Sequence, residues 1–187
     1  MAVPGLYYFN GLPIQGDIVE QLDQREWNPV SAAANSRATQ QYGFIYDYKI
    51  RKVGPPCEPI PDFLEDLRRQ LTEKCRQESH EILDNYFNQC IVNNYMPSQG
   101  INMHTDHNAY GAIIGCFTLL SGATMTFRDG QDKQELYVEP NSLYIMTGDA
   151  RYKWTHEMPA RKSDMVDGTK YIRGRRVSVT FRHVPEK

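Results

Sequence analysis

The chain has 187 residues, 40% of them apolar and 24% charged, with a formal net charge of −2. That length suits one domain with a sizeable core, and the composition excludes a disordered or fibrous chain. No apolar run approaches the roughly 20 residues that span a bilayer, and "MAVPGLYYFNGLPIQGD" lacks the basic and apolar regions of a secretory signal.

Cys57, Cys75, Cys90 and Cys116 form no CxxC pair, which argues against a zinc cluster or a disulfide framework. They read mostly as core thiols in a reducing compartment, so a cytoplasmic or nuclear monomer without membrane association is expected. Charge is uneven along the chain. From Asp149 onward there are ten Lys/Arg against five Asp/Glu, a basic excess of the kind that could meet a phosphate backbone or simply face solvent.

In chain order, "QGDIVEQLDQREW" predicts a helix capped by Asp17, with Ile18, Leu22 and Trp27 on one face. "QYGFIYDYKI" alternates as a strand does, and even spacing would put Tyr42, Phe44, Tyr46 and Tyr48 on one face. After the Pro-rich "RKVGPPCEPIP", a second helix is expected over "IPDFLEDLRRQLTEKCRQESHEIL", with Phe63, Leu67, Leu71 and Cys75 recurring every fourth residue and His80 exposed. From Gln89 the runs "CIVNNY", "INMHTD", "AIIGCFTLL", "ATMTFRD", "QELYVEP", "SLYIMTG", "RYKWTH" and "RRVSVTFRHV" read as strands. The expectation is one α+β domain, a β sandwich or barrel backed by helices on one sheet.

The chemistry starts at "NMHTDHNAYG". On a strand, His104 and Asp106 would point the same way while His107 turns aside. With His156 of "YKWTHEMP" as a third member, they would make a two-His, one-carboxylate face with open positions, the pattern of non-haem Fe(II) oxygenases. An HxD tripeptide alone is weak evidence, because buried His–Asp pairs are often only hydrogen bonded. The last strand adds to it. Arg176 and Arg182 are six residues apart and so share a face, and two buried guanidiniums need anions. A dicarboxylate such as 2-oxoglutarate offers one at each end and could chelate iron through its oxo-acid end.

"NNYMPSQGINMHTD", a later His and the closing "RVSVTFR" together resemble the AlkB-like Fe(II)/2-oxoglutarate dioxygenases, over about residues 8–184. In that family an Asn-x-Tyr lies eleven residues before the first metal histidine, as Asn93-Asn94-Tyr95 lie before His104. The closing Arg-x-Asn-x-Thr-Phe-Arg is matched from Arg176 to Arg182, with Ser178 in place of Asn. The resemblance implies a double-stranded β-helix, or jelly-roll, core over 89–184, a supporting helix over 61–88 and a nucleotide-lid region over 1–60. It implies Fe(II) on His104, Asp106 and His156, and O2 and 2-oxoglutarate as co-substrates. Tyr95 and Arg176 would hold the distal carboxylate, with Asn93, Ser178 and Arg182 nearer the metal.

"MTGDARYKWTHEMPARKSD" and "QYGFIYDY" are similar to segments of the branch that hydroxylates modified wobble uridine in tRNA. The larger relatives carry an RNA-recognition module and a methyltransferase domain, for which 187 residues leave no room. The implied activity is hydroxylation or oxidative demethylation of a modified base in nucleic acid, either RNA such as tRNA or single-stranded DNA. Tyr42, Phe44, Tyr46 and Tyr48 are candidates to stack on the base. Arg151, Lys153, Arg161, Lys162 and Arg173 are candidates for phosphate contacts. Asn108 stands where repair-type relatives often carry an acid, which predicts a preference for an uncharged base, though Asn also suits a turn. The alternatives are the same iron chemistry on a protein or small molecule, or a jelly-roll binding module without catalysis.

Overall fold

In "RVSVTFR" residues 176, 178, 180 and 182 face one way and 177, 179 and 181 the other. The computed structural model, which describes residues 2–185, uses both faces. Its elements in chain order are β1 (Leu6–Phe9), α1 (Ile18–Asp23), β2 (Asn28–Pro29), β3 (Ala38–Tyr42), β4 (Phe44–Asp47), β5 (Lys52–Pro56), α2 (Glu65–Gln77), β6 (Gln89–Tyr95), β7 (Ile101–His104), β8 (Ile114–Leu119), β9 (Ala123–Asp129), β10 (Asp132–Val138), β11 (Ser142–Met146), α3 (Gly148–Tyr152), β12 (Thr155–Met158), β13 (Ser163–Val166), β14 (Thr169–Ile172) and β15 (Arg176–Arg182). A seven-stranded sheet in the order β1-β11-β8-β15-β6-β3-β2 lies against a four-stranded sheet, β10-β9-β12-β7. The pairs are antiparallel, and the fold is an α+β jelly roll.

Two apolar clusters hold it together. Val177, Val179 and Phe181 join Cys90 and Val92 of β6 under Leu67, Leu71 and Cys75 of α2 and Ile18 and Leu22 of α1. Each such side chain, fully buried, stabilises by about 1.5–3 kcal/mol relative to exposure. At Gly115 of β8 an added Cβ would stand 2.3 Å from Leu71 Cδ1, so the Leu71 side chain packs directly on the strand at this glycine and would have to shift for any larger residue. The second cluster, with Ile114, Met125, Phe127, Tyr144 and Met158, fills the space between the sheets.

Several local expectations are corrected. The run "QYGFIYDY" is not one strand. Gly43 takes φ +79, and a Cβ there would lie 1.9 Å from the Asn88 carbonyl oxygen. The chain therefore leaves the large sheet at Tyr42 and starts the separate β4–β5 hairpin. The first helix ends at Asp23, before Trp27, and the second ends at Gln77 because Ser79 adopts φ 64. His80 lies past the helix, partly buried, edge-on to the Tyr7 ring. "RYKWTH" splits into the end of α3 and the start of β12. The strand in "INMHTD" stops at His104. Strand β1 and the β13–β14 hairpin were not expected from the pattern. Cys75, Cys90 and Cys116 are buried and Cys57 half-buried, all as free thiols. No helix of the described residues is long and apolar enough to cross a membrane.

Candidate active site

Strand pairing brings the two histidines together. His104 of β7 and His156 of β12 are direct cross-strand partners, with ring centroids 4.4 Å apart. Asp106 lies just beyond the end of β7, and its Oδ2 stands 3.8 Å from His156 Nε2. Asn102 O lies 2.7 Å from His104 Nδ1, which puts the proton on Nδ1 and the lone pair on Nε2. His156 Nδ1 is buried without a partner.

Asp106 is bonded through Oδ1 to Arg182, at 2.8 Å from Nη2 and 3.1 Å from Nε. Burial pushes its carboxyl up, but the Arg182 guanidinium and the neighbouring imidazoles outweigh that and hold it well below the usual carboxylate range. Burial pushes His156 down to about 4, against the opposing pull of Asp106. At neutral pH the acid is ionised and His156 uncharged, the forms in which both side chains ligate metals. As the rotamers stand, no group of three or more His, Cys, Asp or Glu among the described residues is set to hold an ion. The donor set of two imidazoles and a carboxylate nonetheless suits divalent iron by its chemistry.

Behind the histidines, the inner face of β15 builds a polar cradle. Arg176, Ser178 and Arg182 line a narrow inner cavity with Asn93 and Tyr95 of β6. Register sets Arg176 opposite Tyr95 and Ser178 opposite Asn93. Arg176 is 4% exposed, donates one hydrogen bond to Thr118 Oγ1 at 2.8 Å and lies over the Tyr95 ring at 5.4 Å. Arg176 Nε and Arg182 Nη1 are buried donors without an acceptor. A buried unmet donor costs about 1–3 kcal/mol, so the cradle suits an anion that brings oxygens.

Outside it opens a cleft of about 620 Å³ lined by Tyr46, Tyr48, Arg37, Arg51, His107 and Tyr110, among others. The Tyr46 ring meets Tyr48 at 5.1 Å and His107 at 6.1 Å between centroids. Sequence reading singled out Tyr46 and Tyr48 but not Arg37, Arg51, Tyr110 or Thr118, and it read His107 only as turning aside. For His107 and Tyr110 the available signal was adjacency to the HTD motif. For the two arginines there was none.

Other assignments are corrected. Tyr42 is 2% exposed in the helix-backed core, with its hydroxyl donating to Gln40 Oε1. Phe44 is half-buried at the start of the hairpin, away from the cleft lining. Asn108 is exposed in a turn and does not line the cleft. Arg151 is buried and binds backbone carbonyls. Arg173 is buried against Asp164, and Arg161 bonds the same acid. Lys153 pairs with Asp129 at 2.7 Å. Of the proposed phosphate contacts only Lys162 is exposed and has none of these ties.

Residues 15–182 match the profile of the 2OG-Fe(II) oxygenase superfamily. An uncharacterized protein of Acanthamoeba polyphaga mimivirus, L905, is 33% identical over 89% of this chain and 77% of its own length. The tRNA (carboxymethyluridine(34)-5-O)-methyltransferase ALKBH8 of Macaca fascicularis is 30% identical over 87% of this chain, but the match spans only 28% of that protein. The solved structure of OsALKBH1 superposes with a TM-score of 0.69 at 18% identity, covering 98% of each chain. With these matches added to the histidine pair and the arginine cradle, the chain belongs to the 2OG-Fe(II) oxygenase superfamily as an AlkB-like dioxygenase, a family whose chemistry uses iron, 2-oxoglutarate and O2.

Proposed function

We propose that this protein hydroxylates or oxidatively demethylates a modified base in nucleic acid, with RNA such as tRNA as the preferred class, and that His104, Asp106 and His156 hold the iron. The observation that carries the iron assignment is the cross-strand pairing of His104 with His156 beside an ionised, buried Asp106. When bound, iron with 2-oxoglutarate and O2 supplies hydroxylation of a C–H bond, coupled to release of succinate and CO2. Hydroxylation of an N-methyl group ends in loss of formaldehyde, whereas a hydroxyl on carbon persists.

The chain's own residues do the positioning. Arg176 offers its unmet Nε–H to the distal carboxylate of 2-oxoglutarate, and the Tyr95 ring packs against the guanidinium. Arg182 fixes the Asp106 carboxylate and keeps its Nη1 donors for the co-substrate. Asn93, Tyr95, Arg176 and Ser178 are all buried at this end of the site, which limits its access to water. Tyr46, Tyr48 and His107 form the wall on which a base would stack.

Support for nucleic acid comes from the likeness to ALKBH8 and from Arg37 and Arg51 in the outer cleft. Among the described residues lining that cleft, Asp106 is the one acid, and it is already bonded to Arg182. A cationic base would find no free carboxylate there, so the preference for an uncharged base rests on the cleft lining rather than on Asn108. Turnover of 1-methyladenine and 3-methylcytosine is expected at least about 10-fold below that of an uncharged modified base, the loss of one charge-assisted bond. Equal turnover, read by mass spectrometry of oligonucleotides, would refute this.

The direct test is succinate release that requires both Fe(II) and 2-oxoglutarate and is stimulated by tRNA, single-stranded DNA or peptide in parallel assays. Stimulation by tRNA is expected. Stimulation by peptide alone would move the substrate to protein, and no release under any condition would leave a binding module.

A further inference from the structure

The hydrogen-bond ladder of β7 and β12 fixes His104 against His156, but Asp106 lies beyond that ladder, on an irregular loop that runs to Ile113. Something else must set its distance from His156. Resting on the assignment of these three side chains to one iron, we infer that Arg151 is a positioning residue that clasps the Asp106 loop to the segment carrying His156.

Arg151 is 1% exposed. Its guanidinium donates to Asp106 O at 3.0 Å, His107 O at 2.8 Å, Tyr110 O at 3.3 Å and Gly111 O at 3.2 Å. Four carbonyls of one loop thus converge on one side chain. The fork of five N–H donors that Arg presents can meet such a set, while the single ammonium of Lys cannot span it. The loop's other bonds are few: a turn bond from Tyr110 N to His107 O at 3.1 Å, one from Ala109 N to His107 Nδ1 at 3.0 Å and one from Gly111 N to His183 O at 2.8 Å.

The other end of the clasp is firm. Arg151 belongs to α3, five residues before His156; Thr147 N to Gly5 O at 2.8 Å and Ala150 N to Pro4 O at 2.9 Å tie α3 to the N-terminal segment, and Trp154 N bonds back to Asp149 O at 2.9 Å. Arg182 grips the carboxylate of Asp106 and Arg151 its carbonyl, so two guanidiniums hold the same residue from two sides. The clasp also carries His107 and Tyr110 of the cleft wall, which links the metal site to the base-facing surface.

The test uses the full chain as wild type, Arg151→Lys and Arg151→Met, with Co2+ standing in for Fe2+. Three quantities are read: melting temperature, Co2+ affinity with its d–d spectrum, and hydrogen exchange of residues 105–111 in metal-free protein. Wild type is expected to bind Co2+. Folded Arg151→Lys should lose at least about 10-fold in affinity, shift the d–d bands and exchange faster across the loop than across β8 or β15, with Arg151→Met further along the same line. A merely structural role would lower the melting temperature and leave the spectrum of the folded fraction unmoved. If Arg151→Met does not fold, the Lys variant decides. Folded Arg151→Lys with wild-type affinity, spectrum and loop exchange would overturn the clasp. Wild type that takes up no Co2+ would overturn the iron assignment, and the exchange comparison would still decide the clasp.

Discussion

Arg173 and Arg176 are three residues apart and about equally buried, at 6% and 4% exposure, yet their surroundings are opposite. Arg173, by the β13–β14 hairpin, grips both oxygens of the buried Asp164 at 2.6 and 2.8 Å and donates to Pro159 O at 2.7 Å. Arg176, inside the jelly roll, has one bond to a threonine hydroxyl, an aromatic face and an Nε without an acceptor. A buried guanidinium that is matched in charge and hydrogen bonds serves the fold, and one left short of an anion marks a place for a ligand. Burial and residue type do not separate the two. The partners do.

That contrast can be broken in both directions. Arg173→Met leaves the buried Asp164 with Arg161 as its remaining guanidinium partner, which should destabilise the fold by about 1–3 kcal/mol in urea denaturation while the KM for 2-oxoglutarate in the folded fraction stays unchanged. Arg176→Met removes a cation with no anionic partner, so stability should hold or rise. The KM for 2-oxoglutarate should increase about 100-fold, equivalent to roughly 3 kcal/mol. Arg176→Met that loses stability and keeps its KM, with Arg173→Met doing the opposite, would reverse the assignment of the two arginines.

A smaller effect concerns protons. Burial pushes His156 in the folded metal-free protein down to about 4, from the ordinary imidazole value of about 6.5. The unfolded chain therefore takes up the proton first, and the contribution of His156 to stability is whole above pH 6.5. It is lost progressively as the pH falls toward 4, by about 2 kcal/mol between pH 7.5 and pH 5. His156→Gln should remove that part of the slope in chelator-treated protein. An unchanged slope would show that His156 is not held neutral by burial.

The alternation of "RVSVTFR" was legible because a strand at the centre of a sheet buries both faces, so its polar positions stand out against the apolar ones. The HTD motif was legible for its spacing, although the physical reason differs, since Asp106 reaches His156 from beyond the strand end. The destination of a guanidinium was not legible. Arg151 and Arg173 read as basic surface, yet both are buried, one on backbone carbonyls far along the chain and one on Asp164. Tyr42 and Phe44 read as part of an aromatic strand face, because a period of two cannot reveal that Gly43 turns the chain out of the sheet. The β13–β14 hairpin was missed because "SDMVDGTKYI" has little apolar alternation. Its strand pairing is local, across a turn with Asp167 and Gly168 both at positive φ.

Among the described residues the β4–β5 ribbon that carries Tyr46 and Tyr48 is paired only with itself, and Gln41 and Gln89 reach its backbone through their side chains. Its rungs are not rungs of the barrel. The part of the protein that would meet a base can therefore lengthen, shorten or change its aromatic set without disturbing the strands that hold the histidines. New specificities could arise by remodelling a single appendage while the oxidative machinery beneath is inherited intact.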